Sequence, residues 1–334
     1  MLKMFKPSEK KTKSWDRAPR SMAWLASTAI MGAGLVVAAP AAHAQDAMMA
    51  QGGLLATGGV TSINGVGGGG INPFAVISGY DTNDEVGVTG FFTHLIAGSY
   101  TLNSGGASVG LFNRVEVSVA RQNFDLGSPG ASLGLGPDFN LSQNIISAKV
   151  RLFGNAVYDQ GTMLPVVAVG ASYHENVTSA FPGTNEALPK AVGSHLDGTT
   201  FYVVATKLFI DGLFGHYTLV SAGARLTNSN YNGLLGFGGT NAAGQFKSGY
   251  HVEPFFDFAY FPDRKFAVGY EFRAMPHFDV AGALNLNTTN NWQDVFVAYF
   301  PTKNLSITAA YAALGTIAGA KNSNGLYLSF TATF

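Results

Sequence analysis

Alternation of apolar with polar or small side chains is the feature that most restricts how this chain can fold. It recurs in segment after segment from Gly53 to the last residue. In the final segment one parity of positions carries Leu326, Leu328, Phe330 and Phe334, and the other carries tyrosine, serine and threonine. A two-residue period is typical of β-strands with two unlike faces, so the sequence predicts an all-β protein.

The lengths of these segments and of their connections favour a membrane barrel over a soluble β-sandwich, although alternation alone fits both. The segments are about nine to thirteen residues long, which suits a tilted crossing of ~25 Å of hydrocarbon. Short connections, as at 112–113 and 262–264, alternate with long polar loops, as at 125–143 and 176–198. We therefore predict a transmembrane antiparallel up-and-down β-barrel with its short turns in the periplasm.

The number of strands depends on how the start of the barrel is interpreted. Counting back from the C-terminus places strand starts near 324, 305, 291, 265, 248, 214, 199, 162, 143, 114, 98, 85, 73 and 53, which gives about 14 strands. The segment 45–72 is rich in glycine and includes GVGGGG from Gly65. It is either the first strand or a plug in the lumen, and 12 strands is the alternative prediction.

The first 44 residues differ from the rest of the chain. Seven lysines and arginines precede an apolar run from Met22 to Ala39, and an Ala-His-Ala triplet ends at Ala44. This is the arrangement of a secretory signal peptide with its cleavage site, although an uncleaved membrane anchor has the same positive start. We predict that residues 1–44 are removed and that residues 45–334 form a single barrel domain.

Composition excludes several kinds of partner and site. Beyond the predicted leader the chain carries 13 lysines and arginines against 18 acidic residues, so it has no basic surface for nucleic acid. It contains no cysteine, which excludes disulfides and thiolate metal sites. The GVGGGG run lacks the Lys-Ser/Thr of a phosphate loop. Ser172 and His174 share one strand face without an orienting partner, so we predict no cofactor, no metal site and no enzyme activity.

Charged side chains fall on the parity opposite to the apolar one, and this parity faces the lumen of a barrel. The predicted lumen-lining charges are Arg114, Glu116, Lys149, Arg151, Lys207, Arg225, Glu253, Asp257, Glu271, Arg273 and Asp294. The earlier strands supply mainly basic and the later ones mainly acidic residues. This distribution could create a transverse field that orients polar solutes, or the charges could pair across adjacent strands in a closed interior.

Five stretches of the sequence together resemble a known family. They are GGLLATGGVTSINGVGGGGINPFAVISGY from Gly52, GLFNRVEVSVARQNFD from Gly110, ATKLF from Ala205, GLLGFGG from Gly233 and FVAYFPTKNLSITAAYAALG from Phe296. This combination resembles domain-of-unknown-function family 3034, a group of uncharacterised exported proteins of Gram-negative bacteria. The resemblance implies an outer-membrane location and no assigned activity, so it transfers no functional residues.

These observations predict a channel or facilitator for passive uptake of small solutes across the outer membrane. The alternative is a closed structural or adhesive barrel whose extracellular loops bind a ligand. Expected partners are outer-membrane lipid, the barrel-assembly machinery with periplasmic chaperones, and an unassigned small solute. Leu326, Leu328, Phe330 and Phe334 resemble the terminal signal by which such barrels are recognised for assembly.

Overall fold

The computed structural model describes most of the chain beyond residue 59. The described residues are 60–79, 85–136, 138–156, 159–180, 183, 185–191, 193–240, 245–247, 249–276, 290–317 and 320–334. All of them belong to one compact unit. The predicted signal peptide and the predicted strand start at 53 lie outside the described residues.

Twelve antiparallel strands close into a barrel in the described part of the chain. They are β1 (Val86–Ala97), β2 (Tyr100–Leu111), β3 (Val115–Asp125), β4 (Asn140–Phe153), β5 (Val166–Asn176), β6 (Asp197–Phe209), β7 (Tyr217–Thr227), β10 (His251–Phe261), β11 (Phe266–Arg273), β12 (Trp292–Thr302), β13 (Leu305–Ala313) and β14 (Gly325–Thr333). A separate two-stranded hairpin, β8 (Gly239–Thr240) and β9 (Phe246–Lys247), interrupts the β7–β10 connection. Neighbours in sequence are neighbours in the barrel, and β14 pairs with β1 to close it.

The count of 12 agrees with the alternative prediction and not with 14. The strand predicted to start near residue 73 is absent, because residues 60–79 follow an irregular path with only isolated β-bridges. Backbone groups that a strand ladder would use bond instead to side chains of the wall: Phe74 O to Lys149, Ala75 N–H to Thr206 and Ser78 N–H to Glu116.

Within the described residues, helical structure occurs only in the connections between strands. Two short α-helices, α1 (Gly127–Ser132) and α2 (Leu188–Ala191), lie in loops, and 3-10 turns occur at Leu213–Gly215 and Asn230–Gly233. No helix in the described residues is long and apolar enough to cross a membrane.

The outer face of the barrel is apolar. On β14, Leu326, Leu328 and Phe330 are 66%, 41% and 42% exposed, whereas Tyr327 and Ser329 between them are buried. All the other strands except β2 repeat this pattern, with exposed Val88, Phe92, Ile96, Val117, Ile146, Val150, Val169, Phe201, Val203, Leu226, Val252, Phe256, Val268, Val295, Val297 and Tyr311. A continuous exterior of this kind is stable against lipid and not against water, so the structure is that of a membrane-spanning barrel.

The two ends of the barrel differ in their connections. Residues 112–114, 154–165, 210–216, 262–265 and 303–304 join strands at one end, the turn end, where the chain also terminates. Residues 126–139, 177–196, 228–250, 274–291 and 314–324 join strands at the other, the loop end, and only Gly98–Ser99 makes a tight turn there. This asymmetry is typical of outer-membrane barrels, whose short turns face the periplasm.

Candidate functional site: a plug in the barrel lumen

Residues 60–79, which we call the plug, lie inside the barrel. Every residue from Thr61 to Gly79 is buried, apart from partly buried Asn64 and Val76. The plug folds back on itself through a bridge between Gly68 and Pro73. Its polar backbone groups therefore have to find partners on the barrel wall.

Glu116 and Lys149 form the first anchor of the plug. They face each other across β3 and β4 and make an ion pair of 2.9 Å, with 1% and 0% of their side chains exposed. The Glu116 carboxylate accepts hydrogen bonds from the backbone N–H of Gly67 at 2.8 Å and of Ser78 at 2.7 Å. The Lys149 ammonium donates to the carbonyls of Gly67 at 2.9 Å and Phe74 at 3.2 Å. This buried pair thus holds both arms of the plug.

Glu271 and Arg273 on β11 form the second anchor. The two carboxylate oxygens of Glu271 accept from the backbone N–H of Gly70 at 2.9 Å and of Ile71 at 2.8 Å. Arg273 Nη1 donates to the Ile71 carbonyl at 2.8 Å. The anchor therefore recognises the main chain of the plug and not its side chains.

Further contacts place the remainder of the plug. Asn72 Nδ2 donates to Asp257 Oδ1 at 2.7 Å, and the backbone N–H of Ala75 donates to Thr206 Oγ1 at 2.9 Å. At the other arm the hydroxyls of Thr61 and Thr331 are 3.2 Å apart. The plug is thus in contact with strands around the whole barrel.

The glycine run of the plug approaches the wall closely at Gly69 and Gly70, and at Gly68 it approaches another part of the plug. A Cβ atom at Gly69 would overlap the Glu271 carboxylate, and one at Gly70 would overlap the Tyr327 hydroxyl. A Cβ at Gly68 would overlap the Asn72 carbonyl. Glycine is therefore required here for lack of space.

A second segment, the inner loop (residues 228–238), enters the lumen from the loop end. Arg273 Nη2 donates to Asn232 Oδ1 at 2.7 Å, and Asn232 Nδ2 donates to Asn64 Oδ1 of the plug at 2.7 Å. Gln143 Nε2 donates to the Asn232 carbonyl at 3.0 Å. Arg273 therefore joins the plug to the inner loop.

Eight of the eleven predicted lumen-lining charges are buried: Glu116, Lys149, Lys207, Arg225, Asp257, Glu271, Arg273 and Asp294. Arg114 is different, because β3 begins one residue later and Arg114 lies exposed in the preceding turn, where it donates to the Arg151 carbonyl. Arg151 and Glu253 are only partly buried.

The buried cations bind backbone carbonyls of inserted or connecting segments. Lys207 Nζ donates to the Asp159 carbonyl at 2.6 Å, and Arg225 Nη2 donates to the Ala274 carbonyl at 2.7 Å. Within the described residues Glu116–Lys149 is the one buried ion pair. The charges therefore contact protein, and this favours the closed-interior interpretation over a field acting on water.

An apolar chamber on the loop-end side of the plug was not foreseen from sequence. It has a volume of about 40 Å³ and is lined by Ile63, Ile71, Thr93, Leu95, Leu102, Phe124, Leu126, Leu141, Tyr231, Leu234, Leu235, Trp292, Ala312, Leu314, Ile317 and Tyr327. Neighbouring Leu95 and Ile96 on β1 are both apolar, so alternation is lost where the chamber begins. This loss of alternation is the sequence feature from which the chamber could have been predicted.

The residues considered for catalysis do not form a catalytic set in the described structure. Ser172 Oγ accepts a hydrogen bond from Ser147 Oγ at 2.8 Å, and His174 Nδ1 lies 3.2 Å from Gln143 Oε1. No group of three or more His, Asp or Glu side chains among the described residues is arranged to hold a metal ion.

Comparison with known proteins identifies the family. Residues 57–331 match the family model described as protein of unknown function, DUF3034. The chain belongs to this family. The resemblance noted in the sequence is thus confirmed. No curated protein gives a significant match.

Several solved structures are similar to this chain over most of their own length. The NanC porin matches at 11% identity and a TM-score of 0.42, over 75% of this chain and 99% of that one. The outer membrane protein Omp33 of Acinetobacter baumannii matches at 12% identity and 0.38, over 75% and 98%. An outer membrane channel of Pseudomonas putida F1 matches at 13% identity and 0.38, over 75% and 94%. On the barrel's own closed antiparallel topology and apolar exterior, the protein is an outer-membrane β-barrel.

Proposed function

We propose that the protein is a facilitator for passive movement of small solutes across the outer membrane, and that the plug closes it in the state described above. One observation carries this proposal. The plug is held by hydrogen bonds between its backbone and wall side chains at two anchors, and no disulfide fixes it. Such contacts exchange with water, so a closed and an open state can coexist in equilibrium.

The route that the proposal implies runs along the barrel axis. A solute entering from the loop end meets the inner loop and the chamber, and it must then pass the plug. Rearrangement of the plug would leave Glu116, Lys149, Glu271 and Arg273 in a hydrated lumen, where water replaces its backbone groups as partners. These four charged side chains would then have hydrogen-bond partners in both states, the plug backbone in the closed state and water in the open state.

Three further parts of the proposal concern export and assembly. We propose that residues 1–44 direct export and are removed, and that residues 45–334 are the mature protein. Leu326, Leu328, Phe330 and Phe334 would provide the terminal signal for the assembly machinery, since they form the lipid-facing side of the closing strand. The proposal includes no catalytic activity.

A closed structural or adhesive barrel is the second candidate function. It is favoured by the complete burial of the Glu116–Lys149 pair and of nearly the whole plug. In this case the loop end would bind a ligand and the lumen would never conduct.

A reversible lock on the plug tests the proposal. Because the chain has no cysteine, a Thr61→Cys/Thr331→Cys variant would contain one new pair, at positions whose hydroxyls are 3.2 Å apart. Liposome swelling with small sugars should be reduced when this pair is oxidised and restored by reductant. The matched control is Ser147→Cys/Ser172→Cys, which joins two wall strands whose hydroxyls are 2.8 Å apart and should leave swelling unchanged.

The outcomes of this experiment separate the two functions. Swelling that the plug lock does not change would show that solutes do not pass the plug. No swelling and no conductance in any redox state would support the closed barrel.

A further inference from the structure

The apolar chamber is unusual in a barrel whose other inward positions carry many polar and charged groups. Its lining includes no charged residue, and Thr93 is the only aliphatic side chain there with a hydroxyl. The surface that the wall presents to the chamber is made of carbon atoms. A cavity of this kind stays dry and receives apolar molecules, because a polar group placed there loses its hydrogen bonds to water.

We propose that this chamber is a binding site for a small uncharged apolar molecule, specifically one built around a single aromatic ring. Four aromatic side chains line it: Phe124, Tyr231, Trp292 and Tyr327. Aromatic rings attract one another in offset and edge-to-face arrangements beyond the gain from burial alone. The aliphatic remainder of the wall provides the same carbon surface that such a ring prefers to water.

The chamber must enlarge to receive its ligand. Its volume is about 40 Å³, whereas an engineered apolar cavity of ~150 Å³ is known to bind benzene. The inner loop is the wall that can move, because Tyr231, Leu234 and Leu235 belong to it and not to a strand. Tyr231 has a φ of +47°, a strained conformation for a bulky residue that opening of the loop would relieve.

The inner loop also connects the chamber to the plug. Asn232, next to Tyr231, accepts from Arg273 and donates to Asn64 of the plug. A ligand that displaces Tyr231 therefore disturbs the second anchor at the same time. The claim that the ligand goes on to cross the membrane rests on the proposed function, whereas binding in the chamber does not.

The chain provides an internal probe of the chamber. Its three tryptophans are Trp15 and Trp24 in the predicted leader and Trp292 in the chamber wall. Replacing the first two by phenylalanine leaves Trp292 as the sole source of tryptophan fluorescence, whether or not the leader is removed. Bromobenzene, whose heavy atom quenches indole fluorescence on contact, then reports occupancy of the chamber.

We expect bromobenzene to quench Trp292 in the detergent-solubilised protein with a saturable dependence, and bromide ion to quench it little. Ala312→Phe, which fills the chamber, should weaken saturable quenching at least tenfold. Ala309→Phe is the matched control, since it makes the same change on the same strand at an exposed, lipid-facing position. Ala312→Met provides a milder filling variant, and heat-modifiable gel mobility verifies that each variant is folded.

Quenching that rises linearly without saturation, or that is equal in the Ala312→Phe and Ala309→Phe proteins, would overturn the proposal. Flux measured in parallel separates this inference from the proposed function. Saturable binding without any acceleration of bromobenzene entry into proteoliposomes would retain the site and contradict the facilitator. Lock-sensitive sugar swelling without bromobenzene binding would retain the facilitator and contradict the substrate class.

Discussion

Neutralising Glu116 should open the barrel. Its carboxylate has three partners in the closed state, namely the N–H groups of Gly67 and Ser78 and the ammonium of Lys149. In a Glu116→Gln variant one carboxylate oxygen becomes an NH₂ group, which faces a donor instead of accepting from it. Lys149 also loses its counter-charge while it remains buried.

The size of the effect follows from the burial of this pair. Removing one partner of a buried ion pair costs about 3–5 kcal/mol, because the remaining charge is left uncompensated. When the plug leaves, water reaches Lys149 and Gln at position 116, and most of this cost disappears. The destabilisation therefore acts mainly on the closed state, and 3 kcal/mol corresponds to a rise of roughly a hundredfold in the ratio of open to closed molecules.

Single-channel recording in planar bilayers measures this ratio directly. We expect rare openings in the unmodified protein and a large increase in open probability for Glu116→Gln. Glu253→Gln, the control, removes the same charge from a partly buried position near the loop end of β10 and should change little. A Glu116→Gln protein that melts at a lower temperature yet opens no more often would refute the reasoning, because the plug would then remain in place despite the lost contacts.

Three more changes have defined outcomes. Gly69→Ala places a methyl group against the Glu271 carboxylate, and overpacking of about 1–3 kcal/mol should increase openings and plug proteolysis. Arg273→Lys replaces a two-pronged donor by a point charge, so hydrogen-exchange protection should fall in the plug and the inner loop together. Deleting Phe334 removes two backbone hydrogen bonds to Val88 and should reduce the heat-modifiable membrane fraction more than the flux per assembled molecule; normal assembly would contradict this.

The sequence predicts the wall of the barrel well because each strand has two faces in distinct environments, one toward lipid and one toward the barrel interior. On β14 the exposed and buried positions follow the predicted parity throughout, since a shift of one residue would turn every apolar side chain inward. The error at Arg114 is of one residue, at the point where a strand becomes a turn. Local patterns do not determine such boundaries exactly.

The plug and the chamber could not be predicted in the same way. Gly67–Gly70 has no side chains, so it has no pattern, and the partners that explain it are about 50 and 200 positions away along the chain. The chamber arises where inward and outward positions are both apolar, as at Leu95 and Ile96 of β1. In the sequence such a pair is only an interruption of the alternation, because the residues that the inward side chain contacts are distant along the chain.

The two anchors place four charged side chains on nearly opposite sides of the barrel. Glu116 and Lys149 lie on β3 and β4, and Glu271 lies on β11, almost opposite in the closed order of strands. The plug is bound at Gly67 by one wall and at Gly70 by the other, so these glycines cross the lumen, a distance of ~10 Å at most for three residues. A chain that crosses here is bound through its backbone, since a Cβ at Gly69 or Gly70 would overlap the wall at Glu271 or Tyr327. The stability of the closed state then depends on both anchors, so weakening one shifts the equilibrium toward the open state and weakening both shifts it further. Neutralising both Glu116 and Glu271 should therefore open the barrel more fully than either change alone.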